Sequence, residues 1–128
     1  MNSRLCVLLG LVVQVAAFPM SAWGETAGEL YSACKPIAEA KMSDKGILLR
    51  KDFETGLCWG AFASLQQVGR WYDSAGPVMG VCVPAESTRS ELIAVFVNYV
   101  QNHPEHRHDD FVDVAVSAFH GVYPCKPK

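Results

Sequence analysis

The densest chemistry of the sequence lies in one eight-residue stretch, His103–Asp110, which holds three of the four histidines and three carboxylates. Neutral imidazoles at His106 and His108, with a neighbouring aspartate, could bind zinc, nickel or copper. Histidines also gain positive charge in mildly acidic compartments, so the stretch could act as a pH sensor. A His-x-His pair on a loop lacks the further ligand pair of a stable metal site, and a solvated polar loop with helix-capping aspartates is favoured. We therefore predict no bound metal, and the pH sensor stays open as an alternative.

Nucleophilic or acid–base catalysis has no comparable group of residues. The sequence contains no phosphate loop, dinucleotide fingerprint, zinc-protease helix or nucleophile elbow. No serine or threonine stands in a strained glycine turn, and we expect His120 to be a partly buried, hydrogen-bonded side chain rather than a general base. The sequence therefore predicts a protein that is not an enzyme and needs no cofactor.

Partner binding is better supported by the side chains of this sequence than metal binding or catalysis. Trp59, Trp71 and Tyr72 lie on or beside one predicted helix and cannot all occupy its inward stripe. Tryptophan and tyrosine anchor many protein interfaces, although packing at the edge of the core would account for them equally well. The formal net charge is −2, which gives no field to concentrate phosphates, so we expect no nucleic-acid partner.

The first 24 residues are typical of a signal peptide. A positive start at Arg4 precedes an apolar run over residues 5–18, and Ala22-Trp23-Gly24 is a small-x-small cleavage site. The apolar run is shorter than the about 20 residues that a membrane-spanning helix needs. We therefore expect cleavage of residues 1–24, residues 25–128 as a single exported domain, and no attachment of the mature protein to the membrane.

Four cysteines remain once cleavage removes Cys6, namely Cys34, Cys58, Cys82 and Cys125. An even number in a small exported domain predicts two disulfides, because oxidising compartments form them and a small core benefits from them. Zinc binding is the alternative, but these cysteines lack the close Cys-x-x-Cys pairs that zinc sites favour. Disulfides are therefore the favoured interpretation.

Helices must position these residues, and capping boxes predict where two of them begin. Thr26-Ala27-Gly28-Glu29 predicts the start of the first helix, and Thr88-Arg89-Ser90-Glu91 predicts the start of the third. Pro36 should kink or restart the first helix near Lys35, because proline has no N–H to donate. The third helix should end at Asn102-His103-Pro104.

Apolar spacing predicts the second helix between about Phe53 and Tyr72, with Asp52 as its N-cap. Gly56 and Gly60 lie inside it, where each glycine costs about 1 kcal/mol relative to alanine. We therefore expect another backbone to approach closely at these two glycines.

The fourth helix is predicted to begin at Asp109 or Asp110, because acidic residues favour a helix N-terminus. Val112 should point inward, together with further apolar side chains one turn apart. Gly121 should stop the helix.

The order of these elements predicts which cysteines pair. Cys34 and Cys58 lie on consecutive helices, while Cys82 precedes the third helix and Cys125 follows the fourth. Antiparallel neighbours would bring each pair together, so we predict a Cys34–Cys58 and a Cys82–Cys125 disulfide. The predicted fold is all-α, a small bundle of approximately four helices stapled by two disulfides.

Taken together, the spacing of these residues resembles that of a known family. The pattern comprises Gly56-x-Cys58-x-Gly60, Cys82-Val83-Pro84, Tyr99-Val100 running into His103-Pro104, and the closing Tyr123-Pro124-Cys125. In this order it is similar to the Tai/Rap family of immunity proteins against type VI secretion amidases. The resemblance covers the chain from Gly56 onward, with Cys34 as an extension.

The resemblance implies a periplasmic, often dimeric helical protein that binds a peptidoglycan-cleaving amidase and blocks its active-site groove. It further implies recognition by the loop between the third and fourth helices, residues 102–109, helped by the third helix of a second subunit. The corresponding partner-binding residues here are Arg89, Asn98, Gln101, Asn102, His103, Glu105, His106, Arg107 and His108.

Two other classes of function fit the same sequence. A periplasmic acid-stress chaperone would also be small, helical, disulfide-bonded and histidine-bearing, and it would expose apolar surface at low pH. A periplasmic metal-binding protein would use His106 and His108. A melting temperature that falls when a chelator is added would favour the metal-binding protein.

Overall fold

The computed structural model describes residues 24–41, 43–44 and 46–126. Its elements are α1 (Ala27–Ala38), α2 (Phe53–Val68), β1 (Tyr72–Asp73), β2 (Gly76–Pro77), α3 (Arg89–Asn102), a 3-10 helix (Pro104–His108) and α4 (Phe111–Val122). The strands β1 and β2 form a short antiparallel ribbon, and the rest is a small helical bundle, as predicted. The expected signal peptide, residues 1–24 with Cys6, lies outside the described residues except for Gly24. No helix in the described ranges has the length and apolarity to cross a membrane.

The predicted capping boxes start α1 and α3. Thr26 Oγ1 accepts a hydrogen bond from the Glu29 N–H at 3.3 Å, and the Glu29 carboxylate accepts one from the Thr26 N–H at 2.8 Å. Thr88 and Glu91 make the same two bonds at 3.3 and 2.7 Å. Each pair satisfies backbone donors that have no partner inside the helix. The predicted starts of both helices are confirmed.

α1 runs unbroken through Pro36 to Ala38, so the predicted restart near Lys35 is wrong. Pro36 lies in the last turn of α1, so its missing N–H removes little of the backbone hydrogen bonding of the helix. Cys34 and Ile37 on either side are buried and hold this turn on the core.

α2 ends at Val68, and the prediction that it reaches Tyr72 is wrong. Tyr72 instead begins β1 with 66% of its surface exposed. The Asp73 carboxylate accepts hydrogen bonds from the Ala75 and Gly76 N–H groups at 2.7 and 3.1 Å. Gly76 has a φ of +133°, which L side chains rarely adopt. The residues that follow α2 therefore enter a hairpin, closed by the Asp73 side chain and by Gly76 with its positive φ, rather than a further helical turn.

Gly56 and Gly60 face open space, and the expected close approach of another backbone is wrong. A Cβ atom added at either position would meet nothing within 4 Å. The buried side chains of Cys58, Phe62 and Leu65 hold α2 on the core despite the two glycines.

α4 begins at Phe111 with Asp110 as its N-cap, in agreement with the predicted start. Val112 is half exposed, so its predicted inward orientation is wrong. The buried stripe begins at Phe111 and returns one turn later at Val114, which places Val112 beside it. Gly121 lies inside the helix rather than beyond its end.

The core lies where α1, α2, α3 and α4 meet. The ring of Phe62 in α2 packs against Phe96 of α3 and Phe111 of α4, with ring centroids 5.5 and 5.4 Å apart. These aromatic pairs adopt tilted and edge-to-face arrangements, which suit the quadrupole of each ring. Leu30 supplies a fully buried side chain from α1. Burial of these side chains fixes the four helices relative to one another.

The structure joins Cys34 to Cys58 and Cys82 to Cys125, the two pairs that the element order predicted. The first disulfide links α1 to α2, and both of its cysteines are fully buried. The second links the segment before α3 to the tail after α4. It therefore lies at the end of the bundle opposite to the connection between α3 and α4.

Candidate functional site

The connection between α3 and α4, residues 102–109, is an ordered turn and not an open loop, and we call it the α3–α4 segment. Its central residues form the 3-10 helix, and no side chain of that helix is buried. The segment contains the predicted partner-binding residues Asn102, His103, Glu105, His106, Arg107 and His108. Six of the nine predicted residues are thus contiguous on the surface.

Tyr99 of α3 packs against the first half of the segment. The centroid of its ring lies 4.5 Å from that of His103 and 6.1 Å from that of His106. The His103 N–H donates to the Tyr99 carbonyl at 2.9 Å at the end of α3. The Asn102 side chain donates to the carbonyl of Asn98, another predicted residue, at 2.8 Å. The segment is therefore continuous with the exposed face of α3 that carries Asn98.

Two carboxylates pair with histidines of the segment. Glu105 Oε1 lies 3.3 Å from His103 Nδ1, and Asp109 Oδ2 lies 2.7 Å from His106 Nδ1. A hydrogen bond from its own backbone N–H lowers the pKa of Glu105, and the bond from His103 acts in the same direction. Glu105 therefore presents a negative charge to any partner at neutral pH.

α1 contacts the second half of the segment. The Ala27 N–H donates to the Asp109 carbonyl at 2.9 Å, which forms an isolated β-bridge between the start of α1 and the start of α4. The Arg107 guanidinium lies 4.8 Å from the centre of the Tyr31 ring, in cation–π contact. Gly28 lies directly beneath the Arg107 carbonyl. The segment is thus held by α1 as well as by α3.

A polar groove of about 400 Å³ separates the segment from α4. Its lining includes Tyr99, His106, His108, Asp109, Asp110 and Asp113. Among the described residues, no three histidine, cysteine or acidic side chains converge closely enough to hold a metal ion. The arrangement suits hydrogen bonding to a partner surface, because the groove is lined by carboxylates, imidazoles and hydroxyl groups.

Arg89 lies apart from the other predicted residues. It begins α3, about 18 Å along the helix from Gln101 at 1.5 Å per residue. Its guanidinium lies over the Trp59 ring at 4.6 Å, and its Nε atom is buried with no hydrogen-bond partner in the described chain. Within one subunit, Arg89 therefore does not join the exposed surface formed by Asn98 and Gln101.

The remaining candidates lie at the other end of the bundle. Trp71, just before the ribbon, and Tyr72 in β1 are mostly exposed, whereas Trp59 is half-buried beneath Arg89. His120 is exposed beside Gly80, so the expectation of a partly buried side chain is wrong. These residues do not contact the α3–α4 segment.

Three residues that order the site were not among the predicted site residues. Tyr99 is partly buried on α3, and its position four residues before His103 places both side chains on one helix face. Gly28 and Tyr31 are distant from the segment in the sequence, and no local pattern connects them to it. Only the packing of α1 reveals their contacts with Arg107.

A family model described as Rap1a immunity proteins matches residues 26–125. The matched range begins at the N-cap of α1 and ends at Cys125, so it includes the four α-helices of the described residues, both disulfides and the α3–α4 segment. No curated protein and no solved structure matches the chain.

Proposed function

We propose that this chain, which belongs to the family of Rap1a immunity proteins, inhibits a peptidoglycan-cleaving amidase of a type VI secretion system. Immunity proteins of this family act against secreted effectors. The α3–α4 segment enters the active-site groove of the amidase and blocks it. Inhibition requires binding and no turnover by the immunity protein. The compartment is the periplasm, which agrees with the signal-peptide pattern of residues 1–24 and with the two disulfides.

The observation that carries the proposal is the order of the α3–α4 segment before any partner binds. The segment is exposed, yet Tyr99 and Tyr31 contact it from α3 and α1. An inhibitory loop that is already ordered loses less conformational entropy on binding, so more of its contact energy remains as affinity. His103, Glu105 and His108 leave polar groups at its surface that can pair with a polar groove.

A second copy of the chain extends this surface in the proposal. Asn98 and Gln101 are exposed on α3 near the segment. In a dimer, this face of one subunit would flank the α3–α4 segment of the other, and both would contact one amidase. Isologous dimers present each surface twice, so one dimer would bind two amidase molecules.

The test replaces only side chains that do not hold the segment in place. The outward variant, Glu105→Ala with His108→Ala, keeps the Tyr99–His103, His106–Asp109 and Arg107–Tyr31 contacts. The control variant replaces Gln67, Arg70 and Glu86, which are exposed at the other end of the bundle, by alanine. The amidase is a candidate encoded beside this protein, expressed in the periplasm of cells that carry one of the versions.

We expect the unmodified protein and the control variant to protect the cells equally. The outward variant should bind the purified amidase about thirtyfold more weakly, the effect of losing about 2 kcal/mol at an interface hot spot. Equal protection by the outward variant would place the interface elsewhere. Absence of protection by the unmodified protein would refute amidase inhibition for that partner.

A further inference from the structure

The α3–α4 segment rests on α1 at a position that has no side chain. A Cβ atom added to Gly28 would lie 3.0 Å from the Arg107 carbonyl oxygen and 3.3 Å from the Arg107 Cβ. Both distances are shorter than ordinary carbon contacts, so the neighbouring atoms would have to move. Glycines at positions 56, 60 and 121, inside α2 and α4, have no such neighbour. The absence of a side chain at residue 28 is therefore a specific requirement of this contact.

We propose that Gly28 is a positioning residue that sets the conformation of the α3–α4 segment and, through it, the affinity for the effector. The second half of this statement rests on the proposed function. Gly28 itself does not touch the partner. It acts by letting the backbone of Arg107 approach α1.

The contacts around Gly28 explain why a displacement there would spread along the segment. The Ala27 N–H, one residue away, donates to the Asp109 carbonyl at 2.9 Å. The Arg107 side chain leaves the same backbone and lies over Tyr31, whose ring is nearly buried. A shift of Arg107 away from α1 would therefore lengthen the hydrogen bond from Ala27 to Asp109 and misalign the Arg107 guanidinium over the Tyr31 ring.

The direction of the displacement follows from burial. Ala27 and Leu30 on either side of Gly28 are fully buried, so α1 is fixed by the core. No residue of the 3-10 helix is buried, and its outer side faces solvent. An added side chain at residue 28 would therefore move the segment and leave α1 in place.

Gly28→Val and Gly28→Ala form a graded pair, with Gly60→Val as the matched control. Valine adds two methyl groups beyond the Cβ and enforces a larger displacement than alanine. Gly60→Val makes the same substitution within an α-helix at a site open to solvent. Thermal melting with both disulfides intact shows whether each variant is folded, and Gly28→Ala provides the comparison if Gly28→Val does not fold.

The first measurement needs no effector. Backbone amide resonances and hydrogen exchange of residues 105–109 should change in Gly28→Val, change less in Gly28→Ala and remain as in the unmodified protein in Gly60→Val. The Ala27 amide should exchange faster in both Gly28 variants, because its bond to Asp109 lengthens. Unchanged resonances and exchange in the folded Gly28 variants would overturn the proposal.

The second measurement is the Kd for the amidase, determined beside the outward variant. We expect Gly28→Val to weaken binding at least tenfold and Gly60→Val to leave it unchanged. If the outward variant loses affinity while Gly28→Val binds like Gly60→Val, the positioning role is wrong and the proposed function stands. If the outward variant binds normally, the interface with the amidase lies elsewhere, and the resonances of residues 105–109 alone decide whether Gly28 positions the segment.

Discussion

Individual carboxylates in this protein are stabilised as anions by donors close to them in the sequence. Bonds from the backbone and side chain of Thr26 lower the pKa of Glu29, and bonds from the side chain and backbone of Thr55 lower the pKa of Asp52. Glu105 follows the same rule through its own backbone N–H, and its pKa is lowered as well. These bonds depend on the folded backbone, so the three carboxylates couple folding to pH.

The stability that Glu29 contributes should disappear in acid. Its pKa in the folded chain lies below the ordinary value of 4.5, so its contribution is complete above that value and is lost as the pH falls through the folded pKa. We expect Glu29→Gln to lower the free energy of unfolding at neutral pH and to have less effect at about pH 3. Urea titrations at both pH values measure this, with the exposed Glu86→Gln as control. A difference between the two variants that does not change with pH would contradict the prediction.

The histidines of the α3–α4 segment should not hold a metal ion. His106 Nδ1 already lies 2.7 Å from Asp109, and the described residues offer no group of three ligands at this site. Purified protein without an affinity tag should contain no stoichiometric metal, and a chelator should not change its Tm. A fall in Tm that added zinc restores would support the metal-binding alternative.

At the scale of elements, the sequence predicted the helix boundaries that are determined by residues close together in the chain. The capping boxes at Thr26 and Thr88 are complete within four residues, so both helix starts could be identified. The end of α2 could not, because the carboxylate of Asp73 stabilises a turn that competes with the helix. The orientation of Val112 depends on where α4 meets the core, which apolar spacing alone leaves ambiguous.

Replacing the open glycines of α2 should stabilise the protein. Gly60→Ala adds a methyl group in open space and should raise the free energy of unfolding by about 0.5–1 kcal/mol, because alanine loses less backbone entropy in a helix. Gly76→Ala should do the opposite, since its φ of +133° strains any residue with a side chain. Chemical denaturation of both variants tests the pair. A loss of stability in Gly60→Ala would mean that another surface packs against α2 in solution.

At the scale of the whole molecule, the bundle separates its two ends. The α3–α4 segment lies where α3 ends and α1 and α4 begin, while the ribbon and the Cys82–Cys125 disulfide lie at the opposite end. The histidine-rich composition of the segment identified it from the sequence. Its attachment through Gly28 and Tyr31 could not be identified, because it joins residues far apart in the chain that carry no shared motif.

The two disulfides should therefore open in a fixed order and with different consequences. Cys82 and Cys125 are half-buried, whereas Cys34 and Cys58 are fully buried, and thiolate attack requires access to the sulfur. A mild reductant followed by differential alkylation should label Cys82 and Cys125 first.

Each disulfide contributes about 3–4 kcal/mol in the chain-entropy model for loops of this size. Cys82→Ser with Cys125→Ser should accordingly lower the free energy of unfolding by about that amount. The variant should keep the Kd of the unmodified protein for the effector, because the α3–α4 segment is attached at the other end of the bundle.

Cys34→Ala with Cys58→Ala should lower the free energy of unfolding by more than the first variant does, since it also removes two buried sulfur atoms from the core. If Cys34 were labelled before Cys82, the bundle would open between α1 and α2 before its C-terminal tail detaches. The predicted order in which the two disulfides open would then be wrong.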